Sequence, residues 1–112
     1  MSRRPGTRYN TRHMAGNWKT LNDISERSLT PMLRQYLQAK AECPDSLLFF
    51  RMGDFYEMFF DDAIEASQLL GLALTSRDGM DKEDRVPMCG VPMRTVDTYV
   101  ARIIKGGRTV TI

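Results

Sequence analysis

The stretch RMGDFYEMFFDD (Arg51 to Asp62) decides the fold, because it holds a strand end, a turn, a second strand and a helix start within twelve residues. Upstream of it, SLLFFRM (residues 46–52) is an apolar run bounded by Pro44 and Gly53, the pattern of a buried strand. Gly53-Asp54 permits a turn or bulge, and FYEMFF (55–60) resumes as extended chain. DDAIEASQLLG (61–71) then reads as a helix: Asp61 or Asp62 caps it, their charges complement its N-terminal dipole, and Gly71 stops it. Phe59 and Phe60 lean toward the core. Phe55 and Glu57, two apart on extended chain, project from one face with a separation of roughly 6–7 Å, while Tyr56 faces the other way.

Working outward, Thr30 is a good N-cap and Pro31 suits the first position of a helix in LTPMLRQYLQAKAE, with Leu33, Tyr36 and Leu37 at helical spacing. Cys43-Pro44 ends it, since a residue before proline leaves the helical region. LALTSR (72–77) predicts a strand and DGMDKED (78–84) a polar loop. RVPMCGVP (85–92) looks extended but carries two prolines, which predicts an edge strand or a loop. In TVDTYVARIIKGG (95–107), Val96, Tyr99, Val100, Ile103 and Ile104 recur on one helical face before a glycine pair. RTVTI begins a strand that stops at Ile112, as in a piece of something longer. The fold class is mixed α/β: a mixed sheet flanked by about three helices.

The chain has 112 residues, enough for one domain, which we place at 30–112. Residues 1–29 show no sustained period and are expected to form a flexible basic arm. The net charge of +2 averages two unlike regions. The arm carries Arg3, Arg4, Arg8, Arg12, Lys19 and Arg27 against Asp23 and Glu26, a net +4. Residues 30–112 hold 10 basic and 12 acidic groups, a net −2. Affinity for nucleic acid is mostly phosphate neutralisation. A domain of this charge that touches DNA therefore needs most of its grip from elsewhere. No apolar run approaches the ~18 residues of a membrane span, so no membrane partner is expected. Cys43 and Cys89 lack a C-x-x-C pairing and read as two reduced thiols.

The phosphate-loop, nucleophile-elbow, zinc-protease and dinucleotide-binding motifs are all missing, and the one histidine, His13, lies in the arm. Catalytic and metal-ligating residues are therefore not assigned, with one alternative kept open. The carboxylates Asp54, Glu57, Asp61 and Asp62 suggest a metal-dependent nuclease, although two of them are already explained at a helix start. A third reading is a scaffold that keeps the fold without binding DNA. Phe55 beside Glu57 is a strange core pair but a workable reader of bases. A phenyl ring can wedge between bases and unstack them. A carboxylate near phosphates helps only if it accepts from a base N–H, or if its pKa rises so that it donates as the acid.

The segments LTPMLRQY, FFRMGDFYE, the DDA helix start and PMCGVP occur in one order and spacing that closely resembles the N-terminal mismatch-recognition domain of the MutS family of DNA mismatch repair proteins, bacterial type. The likeness runs from about Thr30 to Ile112. It implies that Phe55 stacks on a mispaired base from the minor groove and that Glu57 hydrogen-bonds that base. It also offers Arg94 and Arg77 as phosphate contacts. The implied partners are double-stranded DNA with mispaired or unpaired bases, the remaining MutS domains and a second MutS subunit. The implied setting is the bacterial cytoplasm, on the nucleoid. ATP and Mg belong to the full-length family protein. The ATPase lies beyond residue 112 in the family, so this chain is expected to need no cofactor and to have no enzymatic activity of its own. Cys89 stands where alanine is usual in the family, and Met93 where an aromatic residue or leucine is common.

Overall fold

Thr30 caps the first helix as predicted. In the computed structural model, which describes residues 29–78 and 85–112, its Oγ1 accepts from Leu33 N–H at 3.2 Å and Pro31 takes the first helical position. Helix α1 runs Pro31–Ala41 and buries Leu33 and Tyr36. Most of the arm and residues 79–84 of the polar loop lie outside the described residues.

The apolar run after Pro44 divides its partners. Strand β1 (Leu47–Leu48) pairs in parallel with the last strand, β6 (Val110–Thr111). Phe49 N–H still donates to Thr111 O at 2.8 Å, and the chain then changes sheets. Strand β2 (Phe50–Met52) turns through Gly53-Asp54 into β3 (Phe55–Phe59), its antiparallel partner. Gly53 has φ +63 and Asp54 does not have a positive φ, the combination that a two-residue type II′ hairpin requires. Helix α2 follows at once (Phe60–Leu70), and Gly71 ends it in the left-handed conformation at φ +70.

The expected cap of α2 is corrected. Its N-cap is Phe59, without a side-chain hydrogen bond, and Asp61 and Asp62 lie inside the first turn. Their charges still face the favourable end of the dipole. Phe60 opens the helix at φ +58, an unusual value for an aromatic residue. That sharp turn sends both Phe59 and Phe60 into the core.

Strand β4 (Thr75–Asp78) and strand β5 (Arg85–Pro92) complete a four-stranded antiparallel sheet in the order β2-β3-β5-β4. The edge-or-loop expectation for residues 85–92 is corrected, since β5 lies between β3 and β4. Its prolines are tolerated because the two ladders overlap only at Met88. β4 pairs with residues 85–88 and β3 with residues 88–92. Pro87 and Pro92 thus each have a partner strand on one side only, so the N–H they lack interrupts no ladder on the open side. A short 3-10 turn (Met93–Thr95) leads into helix α3 (Val96–Lys105).

Two apolar clusters hold these layers together. On one sheet face Met58, Cys89 and Val91 pack with Ala63, Ala66 and Leu70 of α2 and Ile103 of α3. On the other, Phe59 and Val86 pack with Leu33 and Tyr36 of α1. One residue departs from the predicted helical face: Ile104 is exposed, while Ile103 is fully buried. The mixed α/β class stands, with three α-helices among the described residues.

Candidate nucleic-acid interface

Alternation along β3 sends Tyr56 and Met58 to the face covered by α2 and α3, and Phe55, Glu57 and Phe59 to the other. That second face is only partly covered. Helix α1 sits over the Phe59 end, where the Tyr36 ring meets Phe59 edge-on at 5.0 Å and Phe50 at 5.7 Å. The Tyr36 hydroxyl donates to Phe59 O at 3.2 Å. Exposure therefore climbs along one row of side chains: Phe59 is 0% exposed, Glu57 half-buried and Phe55 46% exposed.

Phe55 is the first residue after the hairpin turn, and that turn is held firmly. Met93 N–H donates to Asp54 O at 2.8 Å and Arg51 Nε–H donates to Gly53 O at 3.1 Å. Across the strands Phe55 lies between Met52 and Pro92, both half-buried, while Glu57 lies between Phe50 and Gly90. The Phe55 ring, 46% exposed, rests partly on this apolar ledge and belongs to neither buried cluster.

The predicted basic residues separate. Arg94 is exposed in the turn directly after Pro92, at the Phe55 end of the sheet. It also lies at the N-terminal side of α3, where the helix dipole disfavours a cation, so helix stability does not explain it. Arg77 is elsewhere. It pairs with Val86, six residues along β5 from the Pro92 that pairs with Phe55, a span of about 20 Å. Phe55 and Glu57 share one face, Arg94 follows two residues after the strand partner of Phe55, and Arg77 sits far along the sheet from them.

The four carboxylates of the nuclease alternative do not form a cluster, and among the described residues no group of acidic, histidine or cysteine side chains is placed to hold a metal ion. Asp54 lies in the hairpin turn, Glu57 on the sheet face and Asp61 on the exposed side of α2. Asp62 is buried and already committed. It accepts from Leu48 N–H at 2.9 Å, lies 3.4 Å from the Tyr36 hydroxyl, whose single proton it shares with Phe59 O, and pairs with Lys40 at 3.0 Å. This network, and the ion pair of Arg108 with Glu65, gave no signal in the sequence because both join residues distant along the chain.

Comparison with known proteins decides the relationship. The family model described as MutS domain I matches residues 30–112. The chain belongs to the MutS domain I family. A DNA mismatch repair protein MutS from Desulfatibacillum aliphaticivorans is 58% identical over 89 residues, covering 80% of this chain and 10% of that protein. The MutS of a Geobacillus strain is 59% identical over 83 residues, 74% of this chain and 10% of the relative. That of Thermodesulfovibrio yellowstonii is 48% identical over 90 residues, again 80% and 10%. The chain thus spans about a tenth of the length of the MutS proteins it matches, and the sheet face carrying Phe55 lies wholly within the matched region.

Proposed function

We propose that this MutS domain I reads mispaired or unpaired bases in double-stranded DNA. Phe55 enters from the minor groove and stacks on the mispaired base, and Glu57 hydrogen-bonds it. The observation that carries this reading is the 46% exposed Phe55 ring beside the half-buried Glu57 on one face of the sheet. A mispaired base costs less to unstack than a paired one, so a wedge that needs no base-specific contact discriminates by deformability. Arg94, at the same end of the sheet, is the phosphate contact nearest the wedge. Arg77, whose place on β4 is about 20 Å away along the sheet, is a candidate contact to a more distant phosphate.

The net charge of −2 over residues 30–112 assigns most of the affinity to other parts of a full-length MutS: its remaining domains, a second subunit and the ATP and Mg they use. The test is a fluorescent adenine analogue placed in the mispair, with a full-length MutS carrying this domain. Binding by the wild type should raise the emission of the analogue as it is unstacked, and Phe55→Ala should bind without that rise. An equal rise with both proteins would remove Phe55 from the role. Equal, weak binding to mismatched and matched duplexes by the wild type would favour the scaffold reading.

A further inference from the structure

The row of β5 residues facing Phe55 and Glu57 contains one gap. Met88, Gly90 and Pro92 share that face, and Gly90 lies directly opposite Glu57. Its backbone is not in the left-handed region, so conformation does not demand a glycine there. Space does. A Cβ on Gly90 would sit 3.4 Å from Glu57 Cγ, 3.3 Å from Tyr56 O and 3.8 Å from Phe55 Cδ2. The Phe55 ring and the Glu57 stem therefore both border the bare backbone of one residue, and neither stands straight out from the sheet.

We propose that Gly90 is a positioning residue for mismatch discrimination: its missing side chain lets Phe55 and Glu57 lie side by side at the spacing one base requires. This rests on the base-reading role given to those two residues above. A methyl group at position 90 would press on the Tyr56 carbonyl at 3.3 Å and on Glu57 Cγ at 3.4 Å, so β3 and the Glu57 stem on it give by a fraction of an ångström. The carboxylate and the ring then lose their shared alignment. A shift of that order uses up much of the tolerance of about 0.5 Å within which a functional constellation must be held. Overall DNA binding should be indifferent, since Gly90 supplies no charge and its neighbours contribute little of the grip.

The experiment compares wild type, Gly90→Ala and Phe55→Ala in a full-length MutS carrying this domain. Dissociation constants are measured on a G·T heteroduplex and its matched homoduplex at one salt concentration, with thermal midpoints alongside. Gly90→Ala should keep its homoduplex affinity within about twofold and lose about three- to fivefold of its mismatch preference. In parallel, 4-fluorophenylalanine at position 55 of the 112-residue chain should show a moved fluorine resonance in Gly90→Ala. If Phe55→Ala keeps the mismatch preference, the base-reading role fails and this inference with it. If Phe55→Ala loses the preference while Gly90→Ala keeps it, only the role of Gly90 is overturned. An unmoved resonance overturns it too. So does a Gly90→Ala protein that fails to fold or weakens equally on both duplexes, because the glycine then serves the sheet and not the reader.

Discussion

Replacing Asp62 by alanine should destabilise the domain by about 3 kcal/mol, and the partners left behind set that figure. Leu48 N–H, on a residue 4% exposed, loses its acceptor at 2.9 Å outright, and an unsatisfied buried donor costs about 1–3 kcal/mol. The Tyr36 hydroxyl keeps Phe59 O and is spared. Lys40 keeps Ser46 O and its side chain is 17% exposed, so water recovers part of its lost ion pair. Because Lys40 keeps one acceptor and some contact with water, that loss is set at about 1 kcal/mol, below the ~3–5 kcal/mol of a fully buried pair. In a domain of this size each kcal/mol moves the thermal midpoint by roughly 4–8 °C, so a fall of about 15 °C is expected. The assay is thermal and urea unfolding of the 112-residue chain, followed by far-UV circular dichroism, beside the exposed neighbour Asp61→Ala. Asp61→Ala removes a helix-dipole interaction alone and should cost under about 1 kcal/mol. Equal, small losses for the two variants would refute the argument, because Asp62 would then be a helix-end charge and not the tie that seats α1 against the sheet.

Two further predictions probe other parts of the packing. Burial, followed by the charge of Asp62, pushes the Cys89 thiol from 9.0 up to about 12. The folded state therefore holds a proton that the unfolded state has released. Its contribution is complete below pH 9.0 and is lost as the pH rises toward about 12, at up to about 1.4 kcal/mol per pH unit. Urea midpoints across that range should fall less steeply in Cys89→Ala than in the wild type, and parallel slopes would contradict the burial argument. The adjacent isoleucines of α3 should behave oppositely. Ile103, 0% exposed, should cost about 2–5 kcal/mol on change to alanine, whereas Ile104→Glu, at a position 59% exposed, should fall within about 0.5 kcal/mol of wild type. Similar losses in equilibrium unfolding would show that the exposed assignment of Ile104 is mistaken.

The elements were legible wherever a local rule governs them. Thr30-Pro31 marked the start of α1, Gly53 the hairpin and Gly71 the end of α2, because caps and turns depend on neighbours a few residues away. The alternation of Phe55, Tyr56 and Glu57 was legible for the same reason. Sequence reasoning failed where a distant partner decides. Pro87 and Pro92 suggested an edge, and only the staggered ladders of β3 and β4 make a central position acceptable. Asp62 looked like a cap, yet its partners Lys40 and Leu48 are 22 and 14 residues away. Gly90 passed unnoticed because its meaning depends on register with Glu57. A period-two reading of RVPMCGVP, placed against FYEMF, would have exposed it.

The central claim is that Phe55 and Glu57, on the partly covered sheet face, discriminate mispaired DNA. Its most direct test is the ratio of dissociation constants for a matched duplex and the same duplex with one G·T mispair, at fixed salt, in a full-length MutS carrying this domain. Stacking of a base on an aromatic side chain is worth about 1–3 kcal/mol. Phe55→Ala should therefore reduce the ratio by about tenfold or more, while homoduplex affinity stays near the wild-type value. A ratio that survives Phe55→Ala unchanged would contradict the account.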